Sequence, residues 1–233
     1  CAGLVSGGLD SAVLAAHCTE EFSRVVPIFV RQGLMWEAVE LHWLTQFLAS
    51  YRSPHLEPLK IIDIPLDDVY ENHWSLNKPH ENRPGESPVP AHGKSPLPAY
   101  MGPDGGIYLP GRNIILLSKT FVYAALNDIG TIALGPLKGN PYPDSTPEFF
   151  KNFAQLAGTA LKQSIEIITP FSHLRKWEVI RLGAALTLEL TFSCLNPQGF
   201  DHCGVCNKCV ERQKAFNEAG VVDPTDYSIS KNS

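Results

Sequence analysis

Four cysteines near the end of the chain have the spacing of a metal site. Eight residues separate the first from the second, and two residues separate each later pair; they are Cys194, Cys203, Cys206 and Cys209. Four thiolates complete a closed tetrahedral zinc site, which has no open position for catalysis. The same spacing also suits an iron–sulfur cluster. We interpret the cluster as a structural zinc site, in which the neighbouring His202 does not replace a sulfur.

A second candidate site is the glycine-rich stretch SGGLDS, Ser6–Ser11, which follows a short apolar run and precedes a helical pattern. A turn of this kind gathers backbone N–H groups and the positive end of a helix dipole, which suits an anion. The lysine and spacing of the NTPase loop are absent, as is the GxGxxG of dinucleotide folds. A plain turn with Asp10 or Ser11 as helix N-cap is the alternative.

A third stretch, LPGRNIILLS, places Gly111, Arg112 and Asn113 at the start of a predicted helix. The planar guanidinium of Arg112 suits a carboxylate or a phosphate. The alternative is a helix-entry turn with a solvated arginine. The stretch is therefore a candidate for binding substrate or phosphate.

Short apolar runs alternate with helical patterns along most of the chain, which predicts βαβ units and a doubly wound parallel sheet with helices on both faces. The fold class is α/β, Rossmann-like. The predicted strands are 2–5, 25–30, 59–64, 131–134 and 164–168, and the predicted helices are 11–21, 37–50, 114–126, 147–161 and 174–182.

The pattern lapses over residues 66–107, a proline-rich stretch that is either a lid or disordered. We expect a nucleotide-binding α/β domain over residues 1–190 that includes this insertion. A small zinc-binding helical subdomain and tail would follow over residues 191–233. The segment thus interrupts the first domain rather than separating the two.

Composition limits the classes of function. The chain has 233 residues, 44% hydrophobic and 18% charged, with a formal net charge of -5, which is enough for one large domain with a core. This charge gives no general attraction to nucleic acid or to an anionic membrane. No apolar run is long enough to span a bilayer. We therefore expect a soluble cytoplasmic protein with no nucleic-acid partner.

The loop Ser6–Ser11 resembles the pyrophosphate loop of the ATP-pyrophosphatase (PP-loop) superfamily, whose members split ATP between the α and β phosphates to adenylate a substrate. The resemblance implies that the backbone of Gly7, Gly8 and Leu9, with the hydroxyls of Ser6 and Ser11, holds the leaving pyrophosphate. Asp10 would position the loop or Mg²⁺. Because the loop has no lysine, a basic residue elsewhere must help neutralise the phosphates.

Taken together, the loop, LPGRNIILLS and the cysteine spacing resemble the 7-cyano-7-deazaguanine synthase family over residues 2–216. The resemblance implies an ATP-dependent carbon–nitrogen ligase of queuosine biosynthesis, which converts 7-carboxy-7-deazaguanine and ammonia to the nitrile through an acyl-adenylate. It implies ATP, Mg²⁺ and Zn²⁺ as cofactors and a homodimer. Catalytic roles would fall to Asp10, Ser11 and Arg112. Substrate would be bound by Gly111, Arg112, Asn113, Tyr142 and Asp144.

The chain departs from this family's pattern at two places. Leu34, Met35 and Trp36 replace a polar run that the family has after the second strand. Lys138 lies near the position of an acidic residue in the family, and Ser145 replaces a cysteine. Two alternatives stay open, and these departures motivate the first of them. A related ligase would deliver an activated deazaguanine or other carboxylate to a different amine, and a tRNA-thiolating enzyme would use the cysteine cluster as a redox centre.

Overall fold

The computed structural model describes residues 1–71, 73–76 and 108–228. Within these ranges strands and helices alternate as expected. The strands are β1 (Ala2–Leu4), β2 (Val26–Arg31), β3 (Lys60–Asp63), β4 (Thr131–Ala133) and β5 (Glu166–Ile168), and the helices are α1 (Leu9–Glu21), α2 (Glu37–Ser50), α3 (Arg112–Leu126), α4 (Pro147–Leu161), α5 (Lys176–Leu182) and α6 (Asn207–Ala219). Short 3₁₀ turns lie at Pro143–Ser145 and Leu188–Leu190.

The five strands form one parallel sheet in the order β3-β2-β1-β4-β5. The chain starts in the middle of this sheet, adds β2 and β3 on one side, and then crosses over to add β4 and β5 on the other. The loops that leave β1 and β4 therefore diverge, and the crevice between them is where doubly wound sheets bind ligands.

Helices cover both faces of the sheet, which confirms the α/β prediction. One face packs against α1, α5 and α6 through a core that includes Leu14, Val179 and Phe216. The other packs against α3 and α4 through a core that includes Phe121 and Phe150. The central strands β1 and β4 are mostly apolar and buried because helices cover both faces of the sheet, whereas the edge strands β3 and β5 are partly exposed.

Two helices begin earlier than the sequence predicts, whereas α5 begins at Lys176, two residues later than predicted. Helix α1 begins at Leu9, two residues early, with Gly8 as an N-cap that makes no side-chain hydrogen bond. The predicted N-cap role of Asp10 or Ser11 is therefore wrong, because both residues lie inside the first turn. Helix α3 begins at Arg112, also two residues early, since the Asp144 carboxylate accepts the backbone N–H of Asn113 at 2.9 Å.

The predicted lid falls largely outside the described residues, which include only 66–71 and 73–76 of that stretch; Leu66 and Leu76 are buried there. The domain division at residue 190 and the homodimer stay predictions. Among the described helices, none combines the length and the apolar character that crossing a membrane requires.

Candidate functional site

The loop Ser6–Ser11 lies at the carboxyl end of β1, in the crevice of the sheet. Its backbone adopts a positive φ of 81° at Gly7 and an extended conformation at Gly8, after which α1 begins. The N–H groups of Gly7, Leu9 and Asp10 have no hydrogen-bond partner among the described residues. Together with the helix dipole, these free donors form an anion site.

The two serine hydroxyls hold the loop in shape. The Ser11 hydroxyl donates to the Gly8 carbonyl at 2.9 Å and accepts from the Ser6 N–H at 3.1 Å. The Ser6 hydroxyl accepts from the Gly8 N–H at 3.4 Å. The structure thus brings together the predicted pyrophosphate-binding residues, and it uses their hydroxyls first to shape the turn.

Gly7 is enclosed by two other parts of the chain. A Cβ at this position would overlap the carbonyl oxygen of Glu40 on α2. On the other side, the Gly7 carbonyl accepts the N–H of Phe192 at 2.8 Å. The loop therefore has no room for a side chain here, and its position depends on α2 and on the segment that leads to the cysteine cluster.

A lysine from α5 lies where the loop itself has none. The ammonium of Lys176 is 2.6 Å from one carboxylate oxygen of Asp10, and both side chains are partly buried. The other Asp10 oxygen, Oδ1, is buried without a hydrogen-bond partner in the described part of the chain. Lys176 thus places a positive charge beside the loop, and Asp10 keeps one oxygen available.

A cavity of about 300 Å³, here called the main cavity, opens beside the loop. Its lining combines polar side chains with apolar ones from β1, from β2 and from Leu134, which directly follows β4. Arg112 reaches into it from α3, with its Nε donating to the buried Gln32 side-chain oxygen at 2.8 Å. Burial lowers the pKa of the Arg112 guanidinium, and the nearby carboxyl of Glu40 opposes this.

Two glutamates of α2 line the same cavity. The Glu37 carboxylate accepts the backbone N–H groups of Gln32 and Gly33, which fixes the turn after β2. Burial raises the pKa of the Glu40 carboxyl to about 8, although Arg112 opposes the rise. Sequence reasoning missed Glu40; its position three residues after Glu37, on the same helix face, was the available signal.

The remaining predicted substrate residues lie around the start of α3. Gly111 is its N-cap, with a φ of 75°. Asn113 and Asp144 bind each other, since the Asn113 amide also donates to the Asp144 carbonyl at 2.8 Å. Tyr142 stacks on Tyr108 outside the main cavity. Of this group, Arg112 and Asn113 line the main cavity.

A second depression of about 520 Å³ shares Asp10 and the turn after β4 with the main cavity. We call it the basic cleft, after the four cations in its wall: Lys138, Arg175, Lys176 and Lys208. Tyr142 and Glu211 also line it. Lys208 belongs to the first turn of α6, so the cysteine-rich region contributes to the neighbourhood of the loop.

The four predicted metal-binding cysteines are brought together and buried, with all four Sγ atoms within 4.8 Å of one another. The Sγ–Sγ distances are 3.9 Å from Cys203 to Cys209, 3.9 Å from Cys194 to Cys206 and 3.5 Å from Cys206 to Cys209. A tetrahedron with Zn–S bonds of about 2.3 Å has edges of about 3.8 Å. The donor set therefore fits zinc.

Contacts around the cluster fix its ligands. Backbone N–H groups of Asn196 and Cys203 donate to the Cys194 sulfur, both at 3.3 Å, which suits a thiolate. His202 is turned away, with its Nε2 accepting the N–H of Ser193 at 3.0 Å, so its predicted absence from the ligand set agrees with the structure. The buried Arg212 of α6 ties the preceding segment in place by donating to the Leu188 carbonyl at 2.9 Å.

Comparison with known proteins places this architecture in a family. The profile of the family described as "Queuosine biosynthesis protein QueC" matches residues 1–220. The chain belongs to this family. It is similar to the 7-cyano-7-deazaguanine synthase of Methanothrix thermoacetophila, with 32% identity over 96% of both chains. It is also similar to the proteins of that name from Syntrophobacter fumaroxidans, at 32% identity over 96% of this chain and 94% of that one, and from Methanococcus maripaludis, at 28% over 97% of both.

The QueC family assignment puts the two departures in a structural context. Leu34 and Trp36 are buried in the same apolar cluster as the four cysteines, and Met35 packs against it. The apolar run thus joins the turn after β2 to the metal region, and Leu34 also lines the main cavity. Lys138 is exposed in the basic cleft, whereas Ser145 lines the main cavity.

Proposed function

We propose that this protein is an ATP-dependent carbon–nitrogen ligase that converts 7-carboxy-7-deazaguanine and ammonia to 7-cyano-7-deazaguanine through an acyl-adenylate. The QueC family match over residues 1–220 and the names of the relatives support this proposal. They favour it over an alternative amine acceptor or tRNA thiolation. The observation that carries the adenylation step is the free N–H groups of the loop Ser6–Ser11 beside the Asp10–Lys176 pair.

In this mechanism the substrate carboxylate attacks the α-phosphate of ATP, and pyrophosphate leaves toward the loop. The N–H groups of Gly7, Leu9 and Asp10 point to the place where negative charge collects, which is the most effective use of fixed dipoles. Lys176 adds a positive charge at the same place. The loop and α5 together therefore do what a lysine-bearing loop does in other nucleotide sites.

Mg²⁺ fits beside Asp10. This hard cation prefers oxygen ligands and is bound through one or two carboxylates together with substrate phosphates. The buried Oδ1 of Asp10, which lacks a partner among the described residues, is such a ligand. When bound, the ion neutralises charge on the phosphates as the α–β bond breaks.

Arg112 is the residue we assign to the substrate carboxylate or the α-phosphate. Its side chain lines the main cavity, and its Nε is already oriented by Gln32, so the guanidinium is held rather than free to rotate. A guanidinium held in this way offers a planar fork to an anion. Asn113 and Asp144 bind each other and so fix the start of α3, which positions Arg112.

We assign Zn²⁺ to the four cysteines in a structural role. All four sulfurs are used as ligands, so no position remains open for substrate. The cluster holds the start of α6, where Cys206 is the N-cap and Cys209 lies in the first turn. Elemental analysis that finds iron and a visible charge-transfer band would replace this assignment with an iron–sulfur cluster.

The reaction is tested with the purified protein, ATP and 7-carboxy-7-deazaguanine, with and without ammonium, by mass spectrometry. We expect nitrile and AMP only when ammonium is present, and an accumulated adenylate without it. The matched control is 7-deazaguanine, which lacks the carboxylate and should not trigger release of pyrophosphate. If the carboxylate substrate causes no consumption of ATP, the proposed function is wrong.

A further inference from the structure

Glu40 has no evident structural role in the described fold. Glu40 is partly buried and lines the wall of the main cavity, and the backbone of the same residue touches Gly7 of the loop. The Glu37 carboxylate one turn earlier is engaged by N–H groups, whereas no hydrogen bond reaches the Glu40 carboxyl from the described residues. A carboxyl at a cavity wall that fixes no part of the described fold is available to a bound ligand, which points to a function.

The other titratable groups of the main cavity are already engaged. Its described lining contains Asp10, Glu37, Glu40 and Arg112 as titratable side chains. Asp10 is paired with Lys176, Glu37 fixes the turn after β2, and a guanidinium does not deprotonate in proteins. Within this lining, Glu40 is the group able to take up and release a proton.

We propose that Glu40 is the general base of this enzyme, a catalytic residue that removes protons from the incoming nitrogen as the amide and then the nitrile form. The inference rests on the proposed function, which requires three proton removals from nitrogen, one as the amide forms and two as the nitrile forms. The position of Glu40 supports it, because its backbone touches the loop at Gly7 and its side chain lines the same cavity as Arg112, the residue we assign to the substrate anion.

The first proton removal accompanies amide formation. The nitrogen of ammonia bonds to the acyl carbon of the adenylate, the bond from that carbon to the AMP oxygen breaks, and the Glu40 carboxylate accepts a proton from nitrogen. AMP leaves with the electron pair. The carboxyl group then releases its proton to water, which restores the base for the second step.

Two further removals accompany nitrile formation. The amide oxygen displaces pyrophosphate from another ATP, which leaves a C–O–AMP group on the carbon of a protonated C=NH₂ unit. Glu40 takes the first of the two nitrogen protons and passes it to water. It then takes the second, the electrons of that N–H bond complete the carbon–nitrogen triple bond, and AMP departs with the C–O electron pair. Without a base at this position both amide formation and nitrile formation slow.

The surroundings of Glu40 suit a base that works near neutral pH. Burial raises its pKa to about 8, Arg112 on α3 opposes this rise, and Glu37 on α2 adds to it. Asp10 lines the main cavity and its partner Lys176 lines the adjoining basic cleft. Because their charges are opposite, the pair adds no net charge near Glu40. A base is most effective when its pKa lies near the working pH. The wild-type rate should therefore rise with pH up to about 8 and then level off.

The test is the variant Glu40→Gln, which keeps the size of the side chain. We expect substrate-dependent ATP–pyrophosphate exchange to stay within about threefold of wild type, because adenylation needs no base. Nitrile formation should fall by roughly 10²–10⁴-fold, with the adenylate or the amide accumulating in its place. The rise of rate with pH should disappear, which a merely structural role would not produce.

Glu20→Gln, at an exposed position of α1, is the matched control and should behave as wild type. Nitrile formation by Glu40→Gln at the wild-type rate would overturn the assignment. An equal loss of exchange and of nitrile formation would also overturn it, because Glu40 would then serve nucleotide binding. Absence of nitrile from the wild-type reaction would instead refute the proposed function, and the assignment with it.

Discussion

The loop Ser6–Ser11 and the cysteine cluster are neighbours, but the loop offers backbone groups to a ligand and the cluster offers side chains. The loop Ser6–Ser11 presents backbone N–H groups, and its central residue must have no side chain. The cluster presents four side chains, and its backbone N–H groups serve only to orient the sulfurs. The loop is therefore sensitive to an added atom, and the cluster to a lost one.

The two regions also differ in what supports them. The cluster would be closed by its own metal, whereas the loop depends on others: α2 packs on Gly7, and Phe192 donates to its carbonyl. Phe192 lies two residues before the ligand Cys194, in the same apolar cluster. We therefore expect that disrupting the cluster also disturbs the loop, whereas disrupting the loop leaves the cluster intact.

The largest effect should come from Cys206→Ser, which removes a ligand at the N-cap of α6. We expect loss of zinc and a fall of about 3 kcal/mol or more in the free energy of unfolding, because metal binding contributes directly to folding. Adenylation should fall as well. Elemental analysis and denaturant unfolding measure the change, and Cys1→Ser, outside the cluster, is the control that keeps its zinc. A variant that retains one zinc per chain would contradict the ligand assignment.

The next effect should come from Gly7→Ala. The positive φ and the overlap with the Glu40 carbonyl should cost about 1–3 kcal/mol of stability. The displaced loop should lower ATP–pyrophosphate exchange by at least about a hundredfold, since a shift of about 1 Å is enough for that. Zinc content should not change, because the cluster does not depend on the loop.

Gly220→Ala tests the effect of a side chain at a positive φ without the overlap with a neighbouring helix that Gly7→Ala also introduces. Gly220 ends α6 with a φ of 68°, and a Cβ there would meet nothing within 4 Å. This variant should lose a similar amount of backbone stability while keeping full exchange activity. Equal losses of activity in both variants would show that general destabilisation, and not the contact with α2, explains Gly7→Ala.

The comparison also shows which parts of the site can be predicted from the sequence. The cysteine cluster and the loop were predictable because the local spacing of their residues indicates their chemistry, and the helices α2 and α4 matched the prediction in both bounds. The starts of α1 and α3 were predicted two residues late. A glycine N-cap and a carboxylate from distant Asp144 set those starts, and neither leaves a local signal.

The residues that sequence reasoning did not assign act across long separations in the chain. Lys176 reaches Asp10 from 166 residues away, and nothing local distinguishes it from Arg175 or Arg181 on the same stretch. The structure separates them: Arg175 lines the basic cleft, and Arg181 donates to the Ala219 carbonyl at 2.9 Å. Such pairings follow from strand order, which places α5 beside the loop.

A smaller effect is expected for Lys176→Met, which removes the positive charge beside the loop. ATP–pyrophosphate exchange should fall about 10–100-fold, because charge on the leaving pyrophosphate loses one partner. Stability should change by less than about 1 kcal/mol, since the pair is partly exposed to water. Lys214→Met, which removes an exposed lysine paired with Glu218, should leave exchange unchanged. Normal exchange by Lys176→Met would move charge neutralisation to another residue.

The smallest effect should come from Lys208→Ala, which tests whether the metal-bearing helix contributes to phosphate binding. Lys208 lines the basic cleft between two cysteine ligands, and its ammonium already contacts Glu211 at 2.7 Å, so only part of its charge is available. We expect the KM for ATP to rise about two- to fivefold with zinc content unchanged, as for a partly screened surface charge. Lys214→Ala on the same helix is the control and should show no rise. An unchanged KM in Lys208→Ala would confine phosphate binding to the loop and α5, and the cluster would then act on the loop through the Phe192–Gly7 hydrogen bond alone.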